Sequence, residues 1–297
     1  VVLVGHSAVR NHAGEALTSF ADELKIPVVN TMMAKGIIPY NNKYSMWTVG
    51  IPQKDYQNKI LDMADLVIAI GYDIVEFAPG KWNAGGKHKI IHIDQRSAHI
   101  NMLYQPEVQV VGDISYSLQQ IQFRCEEKEE PEEILNLKKE MVKEYESFAE
   151  DTSFPMKPQK ILYDVRKFMG EDDIVISDVG AHKMWIAREY NCYKPNTCII
   201  SNGFATMGIA VPGAVAAKLI YPDKKILAIS GGNTDCDPDL FGCQLWSDQV
   251  EADRSFRKAL LCGFHESRFC EVCGKHACQR IPCGKGRGSD PDSGGCL

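Results

Sequence analysis

Residues 1–112 alternate short apolar runs with stretches of helical spacing, and no other feature of the chain narrows its possible folds so far. VVLVG at 1–5 is a buried-strand run ended by glycine, and AGEALTSFADELK at 13–25 sets Ala16, Leu17, Phe20, Ala21 and Leu24 at helical spacing. IPVVNT reads as a second strand, LDMADLVIAIGYD as a helix end and a third, KIIHID as a fourth and VQVVGD as a short fifth. Strands that alternate with helices imply a parallel sheet covered on both faces. Such sheets take ligands at the carboxyl ends of their strands, here near Gly5, Asn30, Gly71 and Asp94.

The 297 residues suffice for about two domains. A net charge of -6 gives no polyanion-seeking surface, so nucleic acid is not an expected partner. No apolar run approaches the roughly 20 residues of a membrane helix, and the opening VVLVGHSAVR lacks the features of a signal peptide. These features lead us to expect no membrane partner and a cytoplasmic location. A chain that opens on a core strand without an initiator Met is expected to be preceded by something in the natural protein.

After an acidic stretch, EEKEEPEEILNLKKEMVKEYESFAED places Ile134, Leu137, Met141 and Tyr145 along one stripe of a helix. The acidic start reads as a solvated helix N-terminus and interdomain connection rather than a docking site. A second alternation follows: KPQKILYDVRKFM helical, DIVISDVG a strand and turn, HKMWIAREY helical, CIISNGFATMG a strand and Gly-rich loop, VPGAVAAKLIYP helical, KKILAISGG a strand. Two of its turns lead from a strand into a helix, at Gly180, Ala181 and His182 and again at 201–208, and a third strand ends in Ser230 and Gly231. Each alone is an ordinary tight turn. Converging on one sheet edge, they read as a diphosphate site, because helix N-termini present backbone N–H groups to anions.

ISDVGAHKMWIAREYNCY, CIISNGFATMGIAVPGAVAAKL and KKILAISG resemble the cofactor domain of the thiamine-diphosphate-dependent acetolactate synthases. NTMMAKGIIP, TVGIPQKDY, ADLVIAIGYDIVEFAPGKWN and KIIHID are similar to that family's central domain. The resemblance spans about 230 residues. It implies two doubly wound α/β units, a Rossmann-like central domain at 1–124 and the N-terminal part of the cofactor domain at 158–232, joined by an acidic, helical linker at 125–157. Residues 1–112 are expected to fold as a unit of their own. The resemblance also implies condensation of two pyruvates to 2-acetolactate with loss of carbon dioxide, and a homo-oligomeric parent, dimer or tetramer. By the same resemblance Gly180, Ala181 and His182 approach the diphosphate, Gly203 and Met207 lie along the bent cofactor, and Ser230 and Gly231 close the site. FAD-binding members carry Arg-Phe-Asp-Asp after the strand-end glycine. Here Gly71 is followed by Tyr72, Asp73, Ile74, Val75 and Glu76, which resembles the FAD-independent catabolic branch.

The departures matter as much. By the same resemblance the family continues from ILAISG into Asp-Gly-Gly-Phe, whose Asp binds Mg²⁺; this chain reads Ser230, Gly231, Gly232, Asn233, Thr234 and Asp235, so that motif is missing and no metal ligand is assigned. The glutamate that activates the cofactor lies in a domain this sequence does not include, so no catalytic residue is assigned, and the chain by itself is expected to be inactive. Of 11 cysteines, 8 fall in 236–297, where aliphatic runs stop. Cys270 and Cys273 form one zinc-type knuckle without a second, a poor match to a zinc module. Back-translated and read one base later, this stretch permits strings similar to the missing end of acetolactate synthase. Residues 233–297 are therefore expected to be an out-of-frame, disordered tail. The alternatives are another thiamine-diphosphate decarboxylase or carboligase, and a non-catalytic nucleotide-like binding protein with a zinc tail.

Overall fold

In the computed structural model, residues 1–50, 55–154 and 156–230 are described. The expectations for Gly231 and for the 233–297 tail, zinc binding included, lie outside them.

Among the described residues nine strands form two parallel sheets. In the first, β1 (Val2–Val4), β2 (Val28–Asn30), β3 (Ser45–Thr48), β4 (Leu66–Ile70), β5 (Lys89–Asp94) and β6 (Val108–Val111) lie in the order β3-β2-β1-β4-β5-β6. The doubly wound expectation holds, with the direction of winding reversing between β1 and β4. Side chains alternate across the sheet. Val2 and Val4 face a core built with Leu17, Phe20 and Leu24 of α2 (Gly14–Leu24) and Ile114 and Leu118 of α4 (Ile114–Arg124). Leu3 faces the opposite core, with Ile60 and Leu61 of α3 (Tyr56–Asp62) and the rings of Tyr72, Trp82 and Tyr104. The short α1 (His6–Arg10) follows β1 directly.

The edge strand β3 was not among the five expected. Its residues, Ser45, Met46, Trp47 and Thr48, carry two polar side chains, and both are buried. Burying polar groups costs free energy unless they find partners, and here the partners come from elsewhere in the chain. Asn30 Nδ2 and Lys35 Nζ both donate to the Thr48 hydroxyl, at 2.9 and 3.0 Å, while at Ser45 it is the backbone carbonyl that receives Lys138 Nζ, at 2.5 Å. The pairing shifts from Val28 with Ser45 to Asn30 with Thr48, and Trp47 in the bulge adopts φ 63°.

The expected helix of the linker is α5 (Glu132–Ser147), and it packs on the first sheet. Ile134, Met141 and Tyr145 are buried as expected, but the fourth buried position is Lys138, while Leu137 is only half-buried. Lys138 reaches the Tyr40 carbonyl at 2.9 Å as well as Ser45, and its ammonium lies 4.5 Å from the Trp47 ring centre. Burial lowers its pKa to about 7.

The second sheet has the order β8-β7-β9, from β7 (Ile174–Ser177), β8 (Cys198–Ile200) and β9 (Ile226–Ile229), all three at expected positions. One face carries α6 (Pro158–Phe168) and α7 (Ala181–Glu189), and α8 (Ala210–Ile220) covers the other through Ala210, Ala214 and Ala217. Small residues there let the α8 backbone approach the sheet closely; a Cβ on Gly213 would lie 3.5 Å from Ile176.

Polar groups also join the two sheets. Lys35 Nζ donates to the Ala187 carbonyl at 2.7 Å, and Tyr40 N–H to the Cys192 carbonyl at 3.0 Å. Arg188 on α7 pairs with Asp55 at 2.5 Å, Glu144 at 3.2 Å and Glu189 at 3.0 Å. Burial pushes the Glu189 carboxyl up to about 7, with Arg188 opposing. A folded-state pKa above the usual value of 4.5 contributes stability that is fully present below 4.5 and is lost as pH rises through about 7. The Glu189→Gln variant is therefore expected to lose less stability than the wild type between pH 5 and 8. Parallel urea titrations at several pH values check this, and identical pH slopes would contradict it.

Candidate functional site

Two sheet edges can receive a ligand, and they differ in how far the chain itself fills them. In the first sheet the crevice lies between the ends of β1 and β4, where chain direction reverses. Gly5 and Gly71 meet there so closely that a Cβ on Gly5 would sit 2.5 Å from the Gly71 carbonyl oxygen and 2.8 Å from Glu76 Oε1. Ser7 N–H donates to the Gly71 carbonyl at 3.0 Å. The Glu76 carboxylate accepts the His6 N–H at 2.9 and 3.0 Å and the Thr31 hydroxyl at 2.6 Å. Burial raises the Glu76 pKa, and the bonds from Thr31 and His6 oppose the rise. The backbone donor that would meet a phosphate in such a crevice is taken by the protein's own carboxylate.

At the second sheet, β7 pairs with both neighbours, so the segments leaving β7, β8 and β9 emerge at one edge. Gly180 and Ala181 are exposed at the head of α7, which has no acidic residue in its first turn. A Cβ on Gly180 would come within 2.9 Å of the His182 ring, so glycine lets the imidazole fold back beneath the turn. His182 is buried, and burial lowers its pKa while the Asp178 backbone and charge oppose, which leaves the ring neutral at pH 7.

The structure adds three polar residues to this edge that sequence reasoning did not single out. Asp178 is buried directly after β7, and its Oδ1 accepts the N–H groups of Val179 and Gly208, each at 2.7 Å. Lys183 donates to the Ser201 carbonyl at 3.1 Å and to Asn202 Oδ1 at 2.8 Å. Asn202 Nδ2 donates to the Glu76 carbonyl at 2.8 Å. The loop carrying Gly203 and Met207 is thus held at both ends, to α7 and to the end of β7. Between those ties it projects outward: Met207 is 71% exposed, Phe204 is fully exposed, and a Cβ on Gly203 would meet nothing within 4 Å. Ser230 follows β9, whose Ile229 pairs with Ser177 and accepts the Asp178 N–H at 2.8 Å, so Ser230 lies level with the head of α7. Asp178 carried a readable signal, an acid at a strand end before a glycine turn. Lys183 and Asn202 carried none, since their role depends on the loop meeting α7.

Residues 1–121 match the family described as thiamine pyrophosphate enzyme, central domain. Residues 178–233 match thiamine pyrophosphate enzyme, C-terminal TPP binding domain. The chain belongs to the thiamine pyrophosphate enzymes. Among curated proteins it is 32% identical over 236 residues to the acetolactate synthase of Bacillus subtilis (strain 168), covering 78% of this chain and 41% of the relative. It is 33% identical over 244 residues to the acetolactate synthase large subunit of Corynebacterium glutamicum, covering 78% and 38%. To the catabolic acetolactate synthase of Raoultella terrigena it is 30% identical over 188 residues, covering 62% and 34%. The chain spans about two fifths of the length of these relatives. The TPP-binding match begins at Asp178, so the paired turns of the second sheet edge belong to the part of the chain that this family uses for its cofactor.

The described residues fit the organic part of that cofactor better than its metal. Among them no group of three His, Cys, Asp or Glu side chains could hold a metal ion. Asp178, the one buried carboxylate at this edge, already accepts two backbone N–H groups through one oxygen. Among the described residues no helix is long and apolar enough to cross a membrane.

Proposed function

We propose that this chain supplies the central unit and the first part of the cofactor unit of a thiamine-diphosphate-dependent acetolactate synthase acting on pyruvate. The observation that carries the reading is the second sheet edge, where two strand-to-helix turns are tied together by Asp178 and Lys183 within the stretch matched to TPP binding. Bound thiamine diphosphate supplies a carbanion and an electron sink for decarboxylation. The chain's part is to hold it. Gly180, Ala181 and His182 receive the diphosphate at the head of α7, a neutral His182 taking a proton more readily as the anion arrives. Gly203 and Met207 border the rings, where an exposed, adaptable thioether gains a surface to cover. Ser230 lines the third side. Mg²⁺, which requires several oxygen ligands, draws them from outside the described residues. Closure of the first crevice by Glu76 supports an enzyme that works without FAD. The parent is read as a homo-oligomer.

The test is a chimera in which residues 1–230 replace the matching stretch of the Bacillus subtilis acetolactate synthase. We expect it to form 2-acetolactate from pyruvate only with thiamine diphosphate and Mg²⁺, and Met207→Ala to lower its kcat/KM about tenfold, the scale of one lost packing contact near the reacting centre. The 297-residue chain alone is expected to form none. A folded chimera that binds the cofactor and turns over another 2-oxo acid or an acyl-CoA, but not pyruvate, would favour a different carboligase or decarboxylase.

A further inference from the structure

Glu76 fills the ligand crevice of the first sheet and also touches the cofactor loop of the second. Its carboxylate is held by His6 N–H and the Thr31 hydroxyl, which fastens it to the ends of β1 and β2. Its carbonyl accepts from Asn202, whose side-chain oxygen accepts in turn from Lys183 on α7. The stretch that carries Glu76, residues 72–77, has no strand or helix to fix it. It is anchored by the Glu76 carboxylate, by the bond from the Tyr72 hydroxyl to the Phe77 carbonyl, and by Glu76 N–H to the Asp73 carbonyl at 3.0 Å. The middle of the cofactor loop is equally dependent on its ends, because Phe204 and Met207 are exposed and pack on little.

We propose that Glu76 is a positioning residue for the cofactor loop at 201–208: its buried carboxylate fixes the 72–77 turn in the unused crevice of the first sheet, and the turn's carbonyl sets where Asn202, and with it Gly203, stands. The first sheet thereby serves the second as a rigid reference rather than as a nucleotide site. The proposal rests on the reading of 201–208 as cofactor-binding, but the coupling it asserts can be measured without cofactor. A carboxylate that holds two donors, the His6 N–H through both its oxygens and the Thr31 hydroxyl, is charge-assisted and stiff, so its loss is expected to be felt along the whole relay.

The experiment is amide hydrogen exchange on the full chain, with thiamine diphosphate binding measured in parallel, for wild type, Glu76→Gln, Glu76→Ala and Asn202→Ala. We expect Glu76→Ala to speed exchange about tenfold both at residues 5–9 and at 200–208, and Glu76→Gln, which keeps one acceptor oxygen, to show a smaller effect at both. Asn202→Ala should speed exchange at 200–208 alone. Cofactor affinity should weaken in the order in which 200–208 loosens. Faster exchange at 5–9 with 200–208 unchanged, in either Glu76 variant, would confine Glu76 to the first sheet and overturn the proposal. Where Glu76→Ala fails to fold, the same comparison between Glu76→Gln and Asn202→Ala decides it. A wild-type chain that binds no thiamine diphosphate would remove the cofactor reading, while the exchange data would still support or refute the coupling.

Discussion

Replacing Gly71 by alanine is expected to destabilise the chain by about 2–4 kcal/mol, a large fraction of typical stabilities of about 5–15 kcal/mol. Two costs combine. Gly71 has φ 58°, a left-handed conformation that costs a residue with a Cβ about 1 kcal/mol or more. The added methyl would also lie 2.9 Å from both Cα and Cβ of Ala8, and closer still to the Ala8 nitrogen. That neighbour is backbone at the start of α1 and cannot rotate away, so relief requires β1 and β4 to part, at an overpacking cost of about 1–3 kcal/mol or more. Gly85 is the control: its φ is 89° and a Cβ there would meet nothing within 4 Å, so Gly85→Ala should cost only the conformational part, about 1 kcal/mol. Urea unfolding of the two variants checks this. Equal losses would mean that the close approach of β1 and β4 contributes nothing beyond the backbone angle.

Arg166→Met is expected to cost about 3–5 kcal/mol, for an electrostatic rather than a steric reason. The Arg166 guanidinium is buried on α6 and donates to the carbonyls of Met169 at 2.6 Å, Gly170 at 2.5 Å and Asn191 at 3.3 Å. It also lies over the rings of Tyr190 and Tyr193, 4.9 and 5.5 Å from their centres. Methionine fills the volume but leaves three carbonyls without their donor, at about 1–3 kcal/mol for each that water does not reach. Arg166→Lys keeps the charge and loses the planar fork, so it should fall between wild type and Met. This side chain bridges the α6 C-terminus and the loop after α7, so the loss should appear as earlier thermal unfolding accompanied by a change in tyrosine fluorescence. A Lys variant as unstable as Met would show that the fork geometry, rather than the charge, carries the contribution; a Met variant as stable as wild type would show that neither does.

The turns of the candidate site were readable because each follows an apolar strand and carries a glycine: DVGAHK after IVIS, SNGFATMG after CII, and SGG after ILAI. A strand run that stops at a glycine identifies a loop at the carboxyl edge of a parallel sheet, whatever the rest of the chain does. This rule placed Gly180, Ala181, His182, Gly203 and Met207 in the two turns that Asp178 and Lys183 tie together. It could not single out Lys183 or Asn202, because a lysine one turn into a helix and an asparagine in a loop are ordinary surface residues until a specific partner meets them.

The same division runs through the whole molecule. The sequence by itself determined the α/β class, eight of the nine strands among the described residues, the parallel pairing and the strand ends that carry the glycine turns, since hydrophobic period and glycine punctuation are local properties and a strand–helix alternation admits few topologies. Only the tertiary structure decided which polar groups are inside. Ser45 and Thr48 became a strand because Lys138, Asn30 and Lys35 reach them, and Lys138 took the buried position on α5 because the Tyr40 and Ser45 carbonyls and the Trp47 ring receive it. Glu76 closed the first crevice because His6 and Thr31, 70 and 45 residues away in sequence, present donors to it. A polar side chain is buried only where its desolvation is offset by partners, and those partners are brought together by the fold rather than by sequence neighbourhood.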